Sequence, residues 1–228
     1  MIGIIGAMPV EVDKFKNQML GVSTETISGT EFVCGTLWGH PAVVAVSGVG
    51  KVNAAICAQA MIMRYEPRFI INSGVAGGLD PELNICDTVV ATSVIQHDMD
   101  TSPLGDPVGF ISGIGVVDIP ADPELSDKLH NSALKNGIHS ILGKIVSGDQ
   151  FINSRDKKDF LKDTFDASAC EMESAAIGHV CFKNEVPFAI LRSISDNADD
   201  SSHLSYTEFV EIAADNLEKV MKTFFENI

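Results

Sequence analysis

Positive charge is scarce in this chain of 228 residues: Lys and Arg number 16 against 31 Asp and Glu, a formal net charge of -15. Only four residues are arginine, Arg64, Arg68, Arg155 and Arg192. This balance speaks against nucleic acid and against an anionic membrane surface as partners, since both need clustered cations. Several bidentate phosphate sites would also draw on more arginine. Long apolar runs are missing too. Met1 to Met8 is apolar but short and has no basic flank, so it reads as neither a signal peptide nor a membrane span. The five cysteines (Cys34, Cys57, Cys86, Cys170 and Cys181) are odd in number and form no CxxC pair. They read as reduced thiols of a cytoplasmic protein. No zinc spacing appears among them and the six histidines, so neither a metal nor another cofactor is expected.

What is present is a globular composition, 45% hydrophobic and 21% charged. The length fits one domain, 1–228, that buries about 70% of its unfolded surface without staples. Short apolar runs ending in glycine or a polar residue alternate with helical patterns. Ile2 to Gly6 and Phe69 to Asn72 read as buried strands, and Asp87 to Ile95, Ile141 to Val146 and Phe188 to Ile194 read as strands. Glu31 to Leu37 and Pro41 to Ser47 read as a hairpin. Helices are expected over Val10–Leu20, Lys51–Tyr65 (mostly buried), Pro123–Asn136, Asp156–Phe165, Ser174–Asn184 and Tyr206–Phe225. Thr101 to Val117 reads as a long loop with room for one strand. The expected fold is α/β: a mixed, mostly parallel β-sheet flanked by helices on both faces.

Two glycine-rich turns follow strands. Gly48-Val49-Gly50-Lys51 is not a P-loop, because Ala45 and Val52 stand where that motif needs glycine and Ser or Thr. Gly3 and Gly6 lack the middle glycine of a dinucleotide fingerprint. Even so, this turn and Gly74 to Gly78 sit at carboxyl ends of strands, where open α/β sheets bind small ligands. Carboxylates stand at similar ends: Glu11 just inside the first helix, Glu171 and Glu173 before the Ser174 helix, and Asp196 after an apolar strand. Each could simply favour a helix N-terminus or a turn. Brought into one cleft in different environments, two of them could instead serve as general acid and general base.

Gly3-Ile4-Ile5-Gly6-Ala7-Met8 with Glu11, and Ser47-Gly48-Val49-Gly50-Lys51-Val52-Asn53, resemble blocks of the 5'-methylthioadenosine/S-adenosylhomocysteine nucleosidases. So do Asn72 to Gly78, Ser147 to Asn153, Glu171 to Ala176 and Arg192 to Asp199. The blocks keep the family's order along the whole chain, which makes the set specific. This family lies within the purine nucleoside phosphorylase-like superfamily.

The resemblance implies a homodimer, a place in methionine salvage, and hydrolysis of the N-glycosidic bond of an adenine nucleoside with a 5'-thio substituent. Asp196 is similar to the acid that protonates adenine N7. Glu11 matches the base that deprotonates water, with Arg192 beside it. Glu173 resembles the carboxylate that holds the ribose hydroxyls and offsets oxocarbenium charge. Glu171, Gly77 and Met172 would line the substrate pocket, with Met172 under the ribose. Ser195 would orient the acid, Phe151 would stack on adenine, and the backbone of Ile152 would read its edge. Met8, Val49 and Tyr206 would enclose the alkylthio group. Val75 stands where relatives often carry serine, which bears on the water. The loop around Asp98 to Phe110 corresponds to a region that completes a neighbouring pocket, and His97-Asp98-Met99-Asp100 within it reads as structural. Alternatives are a phosphorylase, a nucleosidase for an adenine nucleoside of menaquinone synthesis, and a non-catalytic binding module.

Overall fold

The computed structural model describes residues 1–196 and 206–228, with the side chains of Asp196, Tyr206, Thr207, Glu208 and Val210 outside the described set. Its elements are β1 (Ile2–Gly6), α1 (Pro9–Gln18), β2 (Leu20–Ile27), β3 (Thr30–Leu37), β4 (His40–Val46), α2 (Lys51–Tyr65), β5 (Ile70–Gly78) and β6 (Thr88–Gln96). A 3-10 turn (Ser102–Leu104) follows, then β7 (Ile119–Pro120), α3 (Pro123–Lys135), β8 (Ser140–Ser147) and α4 (Arg155–Phe165). The chain closes with β9 (Ala167–Glu171), α5 (Ser174–Lys183), β10 (Phe188–Asp196) and α6 (Tyr206–Phe225).

All strands join one sheet, and it corrects the expectation of a mostly parallel one. The order is β10-β6-β8-β9-β5-β1-β4-β3-β2, and β10 also pairs with β5. That extra pairing closes β5, β10, β6, β8 and β9 into a five-stranded barrel. Around the ring the β9–β5 and β10–β6 pairs are antiparallel, while β5–β10, β6–β8 and β8–β9 are parallel. Strands β1 to β4 form a wing in which β4–β1–β5 is parallel and β2–β3–β4 antiparallel, and the short β7 pairs antiparallel with β6 on the ring.

The wing explains why β1 and β4 read as unbroken apolar runs. Ile4 of β1 and Val44 of β4 face α1 and α6, packing with Val12, Phe15, Leu217 and Phe224. Ile5, Val43 and Ala45 point the other way, toward Ala54, Cys57 and Met61 of α2. A strand covered on both faces has no reason to alternate. Edge strand β2 shows the converse: it is exposed along nearly its whole length and, among the described residues, pairs only with β3. Its register skips between Leu20 and Ser23. It has no buried face to impress a pattern on its sequence, so apolar periodicity does not reveal it.

A second correction concerns α2. Only Ala54, Cys57, Ala58 and Met61 are buried, while Val52, Ile56 and Met63 are 68%, 43% and 75% exposed. The expected helix bounds hold, but one apolar face is left uncovered. Among the described residues, no helix is long and apolar enough to cross a membrane. None of the cysteines is disulfide-bonded.

Candidate active site

The carboxyl ends of β1, β4, β5, β8, β9 and β10 meet at one end of the fold. Between them lies a cavity of about 320 Å³. Met8, Glu11, Val49, Gly77, Phe151, Ile152, Glu171, Met172, Glu173 and Ser195 all line it, together with Val75 and Gln150. Residues expected from six separate stretches of chain therefore share one pocket. Arg192 lies just behind the lining and is 1% exposed. Asp196 closes β10, its backbone registered against Gly77, but its side chain and that of Tyr206 lie outside the described residues.

Glu11 is the third residue of α1 and reaches back over the helix start. Its Oε2 accepts from the N–H groups of Ala7 (2.7 Å) and Met8 (2.9 Å), and Oε1 accepts from the N–H of Val75 (3.0 Å). It is thus a helix-terminal carboxylate and a pocket wall at once. Val75 meets Glu11 through its backbone. The Val75 side chain packs beside Val10, Ile85 and Cys86 in the small apolar cluster around Phe209 and Ala213. Gly74 lets Glu11 and Arg192 close in: a Cβ there would collide with Glu11 Oε1 and lie 2.6 Å from Arg192 Nη1.

Arg192 is anchored through one nitrogen. Its Nη2 donates to Glu171 Oε2 (2.7 Å), Ser174 Oγ (2.9 Å) and Asn72 Oδ1 (2.5 Å). Nε and Nη1 are buried without an acceptor among the described residues. Burial disfavours the guanidinium charge, but the carboxyl groups of Glu171, Glu11 and Glu173 around it hold its pKa up.

Glu171, expected among the substrate-binding residues, lines the pocket, but its carboxylate is occupied inside the protein. It accepts from the backbone N–H groups of Glu173 and Ser174, from Arg192, and from the Ser147 hydroxyl. Burial would raise its pKa, but the Arg192 charge and these donors keep it below the usual carboxylate range. Its place is therefore behind Glu173, holding the start of α5.

Glu173 is left with little compensation. It sits at the N-cap of α5, 6% exposed, and its Oε1 accepts from the N–H of Gly50 (2.8 Å). Burial, reinforced by the negative charge of Glu171, pushes its pKa up to about 8. Burial strips the carboxylate of solvent, and the nearby Arg192 guanidinium, already engaged by Glu171, offsets only part of that cost, so Glu173 keeps its proton.

Ser195 donates through Oγ to the Ala76 carbonyl (3.1 Å). Phe151 stands at the rim, 81% exposed. Ile152 lines the cavity and packs in the cluster of Leu79, Ile95, Val146 and Leu161.

Several supporting residues escape a reading by sequence. Asn72 is fully buried in an apolar strand, donating from Nδ2 to the Ile5 carbonyl (2.8 Å) and accepting from Ser174 Oγ (3.1 Å). A lone amide in such a strand is a detectable signal. Ser147 and Ser174 carry no comparable mark.

A family model described as the phosphorylase superfamily matches residues 1–226. The chain is 37% identical to a 5'-methylthioadenosine/S-adenosylhomocysteine nucleosidase of Psychromonas ingrahamii, over 100% of this chain and 99% of that protein. The chain belongs to this nucleosidase family. It is also 39% identical to an aminodeoxyfutalosine nucleosidase of Helicobacter pylori, over 100% of this chain and 99% of the relative. A solved Helicobacter pylori mutant nucleosidase with 5'-methylthioadenosine in its active site superposes with a TM-score of 0.93 at 36% identity, covering 100% of this chain and 98% of that one. The nucleosidase fold of that structure is the α/β arrangement described above.

Proposed function

We propose that the pocket hydrolyses the N-glycosidic bond of 5'-methylthioadenosine and S-adenosylhomocysteine to adenine and the thioribose product. The observation that carries this reading is Glu11, fixed by three backbone N–H groups next to Arg192 Nη1. A carboxylate at that point repels phosphate and suits water, which separates hydrolysis from phosphorolysis.

The roles follow from the environments. Asp196 donates a proton to adenine N7 and makes the base a neutral leaving group. The C1'–N9 bond breaks with its electron pair going to adenine, and the ribosyl group gains oxocarbenium character. Glu173 accepts from the ribose hydroxyls. Those donors favour its ionised form, and its charge then offsets the developing positive charge. Glu11 takes a proton from water as the oxygen bonds to C1', while Arg192 Nη1 helps orient that water. Phe151 covers the adenine face and the Ile152 backbone meets its edge. Ser195 orients the acid, Gly77 leaves room for the base, and Met172 lies under the ribose. Met8, Val49 and Tyr206 enclose the 5' substituent.

The relative at 39% identity favours a second substrate, aminodeoxyfutalosine, cleaved at the same bond by the same residues. The uncovered α2 face of Val52, Ile56 and Met63 supports a homodimer. Cysteines without disulfides fit a cytoplasmic setting, and a thioadenosine substrate fits a part in methionine salvage. No nucleic-acid or membrane partner enters this reading.

The test is incubation with methylthioadenosine, with and without phosphate, followed by product separation. Adenine and free methylthioribose, formed independently of phosphate, are expected. A phosphate requirement with methylthioribose-1-phosphate formed would mean a phosphorylase.

A further inference from the structure

Outside the reacting groups, four pieces of chain are tied together beside the pocket. The Lys51 ammonium donates to Asp98 Oδ1 (2.6 Å) and to Gln96 Oε1 (3.2 Å) at the end of β6. Asp98 Oδ2 accepts from the N–H of Asp149 (3.0 Å), just past β8. Asp149 Oδ1 in turn accepts from the N–H of Lys51 (2.8 Å), the first residue of α2. Gln96 continues the chain of contacts to His179 Nδ1 (3.2 Å) on α5. The backbone has been shaped for this approach. Gly50 has φ +96°, and a Cβ on it would stand 3.1 Å from Asp149 Oδ1. Gly148 leaves no room for a Cβ against His97 and Asp98.

The loop closes on a carboxyl group of the pocket. Gly50, adjacent to Lys51, gives its N–H to Glu173, the only backbone donor to that carboxyl among the described residues. We propose that Asp98, Lys51 and Asp149 form a clasp that aims the Gly50 N–H at Glu173, and that Asp98 and Asp149 are therefore positioning residues for the nucleosidase reaction. This rests on the assignment of Glu173 to the ribose. The clasp also accounts for the His97-Asp98 segment, which the catalytic groups leave unused. Asp98 stays ionised in a half-buried place: burial pushes its pKa up, but Lys51 and the Asp149 N–H hold it below the usual value. A hydrogen bond to a carboxylate favours its charged form. Loosening the clasp should therefore make Glu173 harder to ionise. The other groups facing Glu173 are Glu171 on β9, Glu11 on α1 and Arg192 on β10.

The experiment is kcat/KM for methylthioadenosine against pH, with thermal midpoints in parallel, for wild type, Asp149→Ala, Asp149→Asn, Asp98→Asn and Glu173→Gln. In Asp149→Ala the acid limb should move up by at least about half a pH unit. Asp149→Asn keeps an oxygen for the Lys51 N–H and should retain most of the wild-type limb. Asp98→Asn, which breaks the pairing with Lys51, should shift in the same direction as Asp149→Ala but less. A folded, active Asp149→Ala with an unmoved acid limb would overturn the proposal, because a merely structural cap changes stability and not that limb. If Asp149→Ala does not fold, an unmoved limb in Asp98→Asn would overturn it equally. Wild-type turnover in Glu173→Gln would instead remove Glu173 from the ribose, a failure of the site assignment visible apart from any effect of the clasp.

Discussion

Replacing Glu173 with glutamine should make the protein more stable, by an amount that depends on pH. The folded carboxyl titrates near 8 against an ordinary value of 4.5. Below pH 4.5 both states hold the proton, and the group costs nothing. Between the two values the unfolded chain releases its proton while the native state keeps it, so the native state is penalised as pH rises. At pH 7 the gap is about 2.5 units, or up to about 3 kcal/mol at 1.36 kcal/mol per unit, and above pH 8 it levels off near 5. Glutamine keeps the shape and an oxygen for the Gly50 N–H without the titration. For a chain of this size the gain at pH 7 corresponds to roughly 6–12 °C in Tm, falling to about 0–3 °C at pH 5. Denaturation of both proteins at pH 5, 7 and 8.5 measures it. Glu171, held below its ordinary value, costs stability only as pH falls, and it is common to both proteins, so it leaves the difference curve largely to Glu173. A constant offset across pH, or a variant less stable at pH 8.5, would refute the reasoning. The variant should also lose nearly all turnover, a stabilised protein without activity.

Other outcomes follow from the same geometry. Asp196→Ala should lower kcat by about 10²–10⁴-fold, and unchanged turnover would remove it as the general acid. Glu11→Gln should lose a similar factor while still binding substrate, so a binding titration beside a rate assay separates the two effects. Gly74→Ala places a Cβ between Glu11 and Arg192 and should cost about 1–3 kcal/mol and most of the activity, read by denaturation and by turnover. Arg192→Met strands Glu171 as a buried unpaired charge and should cost about 3–5 kcal/mol near neutral pH, shrinking in acid as that carboxyl protonates.

The sequence is legible where burial writes a pattern. β1 and β4 announce themselves as apolar runs because helices cover both their faces, and the bounds of α2 are readable from Lys51 to Tyr65. β2 is hidden because an exposed edge strand answers to its neighbour's hydrogen bonds and carries no apolar alternation. Closure of the sheet is hidden for another reason: whether β10 meets β5 depends on strand placement around the ring, which local periodicity does not encode. At the site, the chemistry-bearing types stand out as motif blocks, but their division of labour does not. Glu171 and Glu173 look alike as sequence. Only the placement of Arg192, Ser147 and the start of α5 holds one below the usual carboxylate range and leaves the other a carboxyl that keeps its proton near neutral pH.

The closed ring has a consequence for motion. β5, β9 and β10 bring Val75, Glu171, Glu173 and Arg192 together, and each strand is hydrogen-bonded to ring neighbours on both sides. None can peel away without breaking two ladders at once. Amide exchange should therefore divide the molecule. β2 would open freely in small excursions, while the β5 and β10 amides exchange only when the whole protein unfolds. The groups that handle the substrate would then share the slowest-opening part of the chain. Access for a nucleoside is left to the rim, where Phe151 and the turn carrying Val49 stand exposed.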